Sequence, residues 1–409
     1  MSGLENRNYV TERKKYSVVV DDIWFSIVIL IFLKPGIADD IPIIDFIFNA
    51  GRVGLSIVYI GRMLINKKRI NKDWLLLCVI SVIVLTSTFL VGKAYPKALT
   101  HYFPSLGMLA FISLNSRKID RLLVLVENLG IVLLTANLIT VLLFPGGLLY
   151  REANNLKIWI LGQKQDIGGF IFPFLYVALC LKHFDKKFSS KYWMILIISC
   201  VSAILEQPLG TLICLSLFLF LCFWDQYILK FEKRLLISIL ICGFIITQYI
   251  CFNFEEMIWL QKILSGINLK GASKLRTVNI RIEMWRFAWD TIAKYPLIGV
   301  GNLTVRNWSL MTKIGYHSIL DNMYMDMLFT GGLVSFFIFI LLIGRSFKMI
   351  RELWKCRTGR QMGYCLFALC ILLLEGCPYY PSVFFMLVSS VWFPYLMEGR
   401  VCDRDGDKK

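Results

Sequence analysis

Histidine is scarce in this chain: His101, His183 and His317 are the three among 409 residues. Its twelve cysteines stand singly, most inside apolar runs, with no CxxC pair and no Cys/His cluster at zinc spacing, which argues against a structural metal. Isolated cysteines in such runs read as small packing residues. No GxxxxGK[ST] loop or dinucleotide fingerprint occurs, so nucleotide chemistry has no motif to rest on. Charged residues make up only 18% of the chain, too few for a soluble protein of this length. No internal repeat, low-complexity tract or soluble domain boundary is visible.

What is abundant is apolar. Hydrophobic residues are 57% and aromatics 14%. Continuous apolar windows recur from end to end, each long enough to cross a hydrocarbon core of about 30 Å. Short alternating segments of the β-barrel kind are missing. The expected fold class is an all-α polytopic integral membrane protein, one membrane domain over 1–409, with about twelve transmembrane helices. They are expected near 23–38, 43–65, 74–91, 97–114, 121–144, 167–182, 192–206, 209–227, 235–253, 318–344, 361–376 and 381–397. Lys34-Pro35-Gly36 interrupts the first, which otherwise reads as an uncleaved anchor.

The net charge of +17 invites a nucleic-acid reading, and its distribution removes it. Lys and Arg concentrate on alternate connections, such as NKKRINKD (66–73) and RSFKMIRELWKCRTGR (345–360), and on both termini. This positive-inside pattern predicts that both termini are cytoplasmic. Two outer connections are long: 145–166, and 254–317 between the ninth and tenth spans. Loops of the latter length tend to be functional. Within it, IRIEMWRFAWDTIAKYP (280–296) puts Ile282, Trp285, Trp289 and Ile292 on one helical face, as expected for a helix lying on the membrane surface. Pro296 should end that helix, and LIGVGN follows as a turn.

The outer loops break the topology rule by carrying cations, among them Arg151, Lys157, Lys164, Arg276, Arg281 and Arg286. Guanidinium binds phosphate in a bidentate manner and stays charged, which suits a diphosphate-bearing ligand; contact with lipid headgroups is the simpler alternative. Arg281 and Trp285 share a helical face at i, i+4, with Arg286 about 100° further round from Trp285. In GYHSILDNMYMD (315–326), His317 and Asp321 have the same spacing. If one helix includes both, the carboxylate holds the imidazole in one tautomer and raises its basicity. Asn322 and Tyr324 add an amide and a phenol nearby. The plainer reading is a histidine ahead of a helix, with Asp321 favoured by the helix dipole. His101, Glu206, Glu375 and Arg52 are further polar groups near apolar spans, where a cavity position and ordinary solvation compete. Asp39 and Asp40 in the first outer connection admit a metal-dependent transferase, though solvated turn residues fit them as well.

The ordered set R-x-x-x-W (Arg281 to Trp285), YPLIGVGN (295–302), H-S-x-x-D-N-x-Y (317–324) and FTGGLVSFFIF (329–339) resembles the O-antigen ligase/polymerase superfamily. Within it, the set is most similar to Wzy-type capsular or exopolysaccharide repeat-unit polymerases. WILGQKQDIGGFIFP (159–173) matches more loosely, with Gln165 where the family often has asparagine. The resemblance implies a glycosyltransferase of the bacterial cytoplasmic membrane, acting at its outer face on undecaprenyl-diphosphate-linked oligosaccharide with no metal and no cofactor. It implies Arg281 on the donor diphosphate, His317 as the active-site histidine oriented by Asp321, and Arg151 or Arg276 as a further cation. Lys164, Gln165, Arg286, Asn322 and Tyr324 are expected to line the substrate site. Membrane lipid and a chain-length regulator are the other implied partners. A ligase passing glycan to lipid or protein, and a flippase for the same lipids, are the competing readings.

Overall fold

The computed structural model describes residues 20–66, 70–151, 156–184, 189–225, 271–304, 320–376 and 381–397, with short helical pieces among 238–249. They are mostly helical. In chain order the helices are α1 (20–33), α2 (Pro42–Ile65), α3 (Lys72–Ser87), α4 (Tyr95–Leu114), α5 (Ile119–Leu143), α6 (Gly168–Phe184), α7 (Ser189–Glu206), α8 (Leu209–Trp224), α9 (Gly271–Lys294), α10 (Met323–Ile350), α11 (Arg357–Leu372) and α12 (Pro381–Leu387). Among the described residues four stretches are long and apolar enough to cross a membrane: Pro42–Ile65, Lys72–Gly92, Ser116–Leu143 and Met323–Lys355. Three shorter apolar helices, Ala98–Leu114, Gly168–Phe184 and Leu209–Trp224, accompany them. The chain is therefore a helical polytopic membrane protein. About half of the expected ninth span (235–253) lies outside the described residues.

The helices obey the rules of a lipid solvent. On α2 the buried face is Arg52, Ser56, Tyr59 and Met63, while Ile43 and Phe46 are more than 70% exposed. Hydrocarbon removes the drive to hide apolar side chains, so the polar stripe turns inward and packing decides the interface. Arg52 donates from Nε and Nη2 to the Phe32 carbonyl at 3.1 and 2.8 Å. It thereby satisfies a C-terminal carbonyl of α1, which ends at residue 33, five residues short of the predicted span, because Lys34 takes a left-handed φ of 42° ahead of Pro35. Lys34 then turns its ammonium onto Asp39, Asp45 and Asn49. Asp39, the sequence's candidate for a metal or a base, is thus paired with a buried lysine.

At the centre stands α6, buried along its length from Gly168 to Leu181, with α5, α7, α11 and α12 packed around it. A helix apolar on every side has no face to give to water, and this one gives none.

The expectation of an all-helical chain needs one correction. Within the loop 145–166, β1 (Leu149–Arg151), β2 (Leu156–Trp159) and β3 (Gly162–Gln163) form an antiparallel meander, with Leu149 opposite Ile158 and Trp159 opposite Gly162. In LKIW the adjacent Ile158 and Trp159 are both buried, so both faces of the end of β2 are covered. Asn137 pins the meander to the bundle: its Oδ1 accepts from the Leu161 amide at 2.9 Å, and its Nδ2 donates to Glu206 at 2.7 Å. Glu206 is accordingly a buried structural acid.

Candidate functional site

The site is built where two chain breaks fit into each other. α10 is one helix by sequence, yet Gly332 sits at φ 66°, ψ −170°, which interrupts the hydrogen-bond ladder a few turns in. The carbonyls and amides so freed are taken up by the segment after α9. Val300 and Gly301 donate to the carbonyls of Phe329 and Thr330 at 2.8 and 2.9 Å, and Leu333 donates to that of Pro296 at 2.8 Å. Non-helical backbone at membrane depth is tolerated only when protein satisfies it in this way. On its other edge the segment meets the π-helical turn Thr88–Gly92 that ends α3: Asn302 donates to Thr88 Oγ1 at 2.9 Å, and Ala94 donates to the Asn302 carbonyl at 3.1 Å. The glycines of GVGN follow from this. Gly299 and Gly301 have φ of 68° and 72°, and a Cβ on Gly301 would overlap the backbone of Thr88. The span expected near 318–344 thus holds a break at Gly332, stabilised from outside.

Helix α9 clamps this junction. Met284, Ala288 and Ile292 are buried in a small second core with Val300, Leu303, Leu320, Met325, Leu328 and Phe329. Trp285 and Trp289 are only partly buried at its margin. The helix thus buries a face against α10 as well as offering one outward. Of the expected apolar face, Ile282 and Ile292 are buried and Trp285 and Trp289 partly so, while Met284, Ala288 and Ile292, recurring at i+4, form the stripe that packs on protein.

The start of α10 and the end of α11 meet the middle of α9 at Arg281. Its Nε donates to Asp321 Oδ2 at 3.3 Å, and its Nη1 lies 3.8 Å from Glu375 Oε1. One turn further on, Trp285 Nε1 donates to the Leu320 carbonyl at 2.6 Å, so both residues of R-x-x-x-W engage the bent segment 320–322. Asp321 itself has φ 48°, and α10 begins only at Met323. Asp321 is therefore outside the helix, so the condition for a helical i, i+4 pairing with His317, one helix including both, is not met. His317 lies outside the described residues. Asn322 caps α10, its Oδ1 accepting from the amides of Tyr324 and Met325 at 3.1 Å each. Tyr324 is buried and donates its hydroxyl to the Cys370 carbonyl at 2.9 Å. With Met323 donating to the Leu373 carbonyl at 2.9 Å, these bonds strap the start of α10 to the end of α11. That strap is what brings Asp321 and Glu375 to one guanidinium. For Asn322 and Tyr324, then, the structure shows capping and strapping roles.

Glu375 is the partner that sequence reasoning noticed only as an acid ending a span. It follows the end of α11, abuts Gly210 in the first turn of α8, and its side chain is 42% exposed. Partial burial pushes its carboxyl up, Asp321 adds to the rise, and Arg281 opposes it.

The other expected site residues are placed separately. Lys164 and Gln165 are exposed on the turn from β3 into α6. Arg286 is half-buried on α9, one residue beyond Trp285. Arg151 lies in β1 opposite Leu156, and Arg276 lies on α9, with both side chains outside the described residues. Lys157 donates to the Pro145 carbonyl at 2.9 Å, a loop-closing contact. His101 sits on α4 with its ring edge-on to Tyr102.

No curated protein matches this sequence. A family model does: residues 193–340, about a third of the chain, match the family described as O-Antigen ligase. The matched stretch runs from α7 through the broken part of α10 and includes Arg281, the GVGN segment and Asp321. Over this segment the chain is similar to the O-antigen ligase family, in keeping with the resemblance to the O-antigen ligase/polymerase superfamily read from its motifs.

Proposed function

We propose that the protein is a glycosyltransferase that polymerises oligosaccharide repeat units at the outer face of the bacterial cytoplasmic membrane. The donor would be a glycan on undecaprenyl diphosphate, and the acceptor a second lipid-linked repeat unit. The observation that carries this reading is Arg281, a fixed cation midway along α9, within the matched family segment and held by carboxylates from two other parts of the chain.

The chemistry needs little more. The bond between the anomeric carbon and the diphosphate oxygen breaks, with the electron pair leaving on the diphosphate. Arg281 stabilises that charge, as fixed donors do in such transfers. The acceptor hydroxyl oxygen bonds to the anomeric carbon, and its proton passes to a base, the role we assign to His317. In this reading Asp321 positions Arg281 and leaves the histidine to be oriented by other groups. Entry of a diphosphate exchanges carboxylate partners of the guanidinium for phosphate oxygens, so the arginine is pre-aimed before substrate arrives. Lys164, Gln165, Arg151, Arg276 and Arg286 are proposed to extend the cationic and polar lining towards the glycan.

The family description favours a second reading, a ligase that passes the glycan to a different lipid or a protein. One experiment separates them. Purified protein given only carrier-linked repeat units should yield a ladder of lengthening products. A ladder appearing only after a separate acceptor is added would establish the ligase, and no transfer under either condition would overturn both.

A further inference from the structure

At the end of α10 remote from Arg281 lies a cleft of about 560 Å³ that the transfer reaction does not use. Arg345 is 22 residues beyond Met323, about 33 Å along a helix, so the cleft and the Arg281 cluster are at opposite ends of one membrane-spanning element. Its walls are apolar: Met349 and Leu353 from the end of α10 and the following turn, and Phe393, Pro394 and Met397 from the last described segment. Its rim is ionic. Arg345 is bound to Asp73, which is 1% exposed and also accepts from Ser390. Asn71 donates to the Ser390 carbonyl at 3.1 Å and closes that wall. Lys348 and Arg351, both exposed, stand one turn apart beyond Arg345, with Glu352 the opposing carboxylate on the rim. The buried Asp73 fixes Arg345, so the rim carries Arg345, Lys348 and Arg351 in one row above an apolar floor.

We infer that this cleft binds an anionic glycerophospholipid of the surrounding leaflet. Its phosphate would meet Lys348 and Arg351, and an acyl chain would lie over Met349, Phe393 and Met397. Volume, apolar walls and a few convergent polar groups are the marks of a ligand site. Basic pockets between membrane helices select anionic headgroups, whereas a free phosphate would leave the apolar walls uncovered. Occupancy would brace the ends of α3 and α10, the two helices whose other ends hold the GVGN segment.

The test is native mass spectrometry of the full chain released from nanodiscs of mixed phosphatidylglycerol and phosphatidylcholine. Wild-type protein should retain phosphatidylglycerol preferentially. The Lys348→Ala/Arg351→Ala double variant should lose that preference by roughly tenfold, and Glu352→Gln should strengthen it. Arg117→Ala removes an exposed cation at the same end of the bundle but outside the cleft, and should change nothing. Unaltered selectivity in the double variant, or an equal loss in Arg117→Ala, would overturn the assignment. Complete displacement of the lipid by excess inorganic phosphate would give the cleft to a free phosphate and overturn it too.

Discussion

Arg281 and Asp321 are forty residues apart in sequence and 3.3 Å apart in space, the guanidinium donating from Nε while Trp285 fixes the neighbouring Leu320 carbonyl. The arginine is aimed by its acids at the end of a broken helix. Its function should depend on the fork geometry as well as on its charge.

Arg281→Ala is expected to reduce chain extension by about 100-fold or more, the cost of removing a preorganised oxyanion donor. Arg281→Lys should recover only part, since an ammonium cannot present a fork to two oxygens. His317→Ala should be equally inactive. Each is read as the loss of the polysaccharide ladder in a deletion strain with membrane protein level unchanged; normal ladders would remove the residue from the site.

Gly332→Ala should destabilise the fold. Its φ of 66° disfavours any L side chain, and a Cβ would overlap the Leu297 carbonyl of the docked segment. Strain of this kind costs about 1–3 kcal/mol before the clash is counted. Gly344→Ala, further along α10 with open space at its Cβ, should be neutral or slightly stabilising. Thermal unfolding in detergent distinguishes the pair.

Thr88→Ala should leave the buried Asn302 amide without its acceptor, at a cost of about 1–3 kcal/mol. Thr88→Ser keeps the hydroxyl and should restore most of it. Equal stability of all three proteins would show that the contact between α3 and GVGN contributes nothing.

Glu375 gives a pH dependence with a definite sign. Its folded-state affinity for a proton is raised, chiefly by burial and then by Asp321. The stability it contributes is fully present below the ordinary glutamate range and is lost as pH rises through its raised value. Melting temperature should therefore fall as pH climbs from that range, and Glu375→Gln should flatten this part of the profile. An identical profile in the variant would place the titrating group elsewhere.

Much of this was readable from one dimension. Apolar length fixes which segments can cross a membrane, since a helix has only 1.5 Å of rise per residue to span the hydrocarbon. The motifs from Arg281 to FTGG carry the family in their order. Glycines in GVGN announce a turn, because left-handed backbone is open to them at little cost. What failed to show were partners. An apolar alphabet marks membrane depth, and it carries no code for which carbonyl a distant amide will meet.

Sequence by itself determined a polytopic helical protein with an arginine and a histidine flanking a glycine-rich turn near one apolar run. Only the tertiary structure decided that the turn inserts at a break in α10, that Asp321 serves Arg281 from outside the helix, and that Glu375 joins them. The reason is physical. Periodicity records each element's own hydrogen bonds and faces, whereas a broken membrane helix is stable only when another segment satisfies its freed backbone groups, and that segment is chosen in three dimensions.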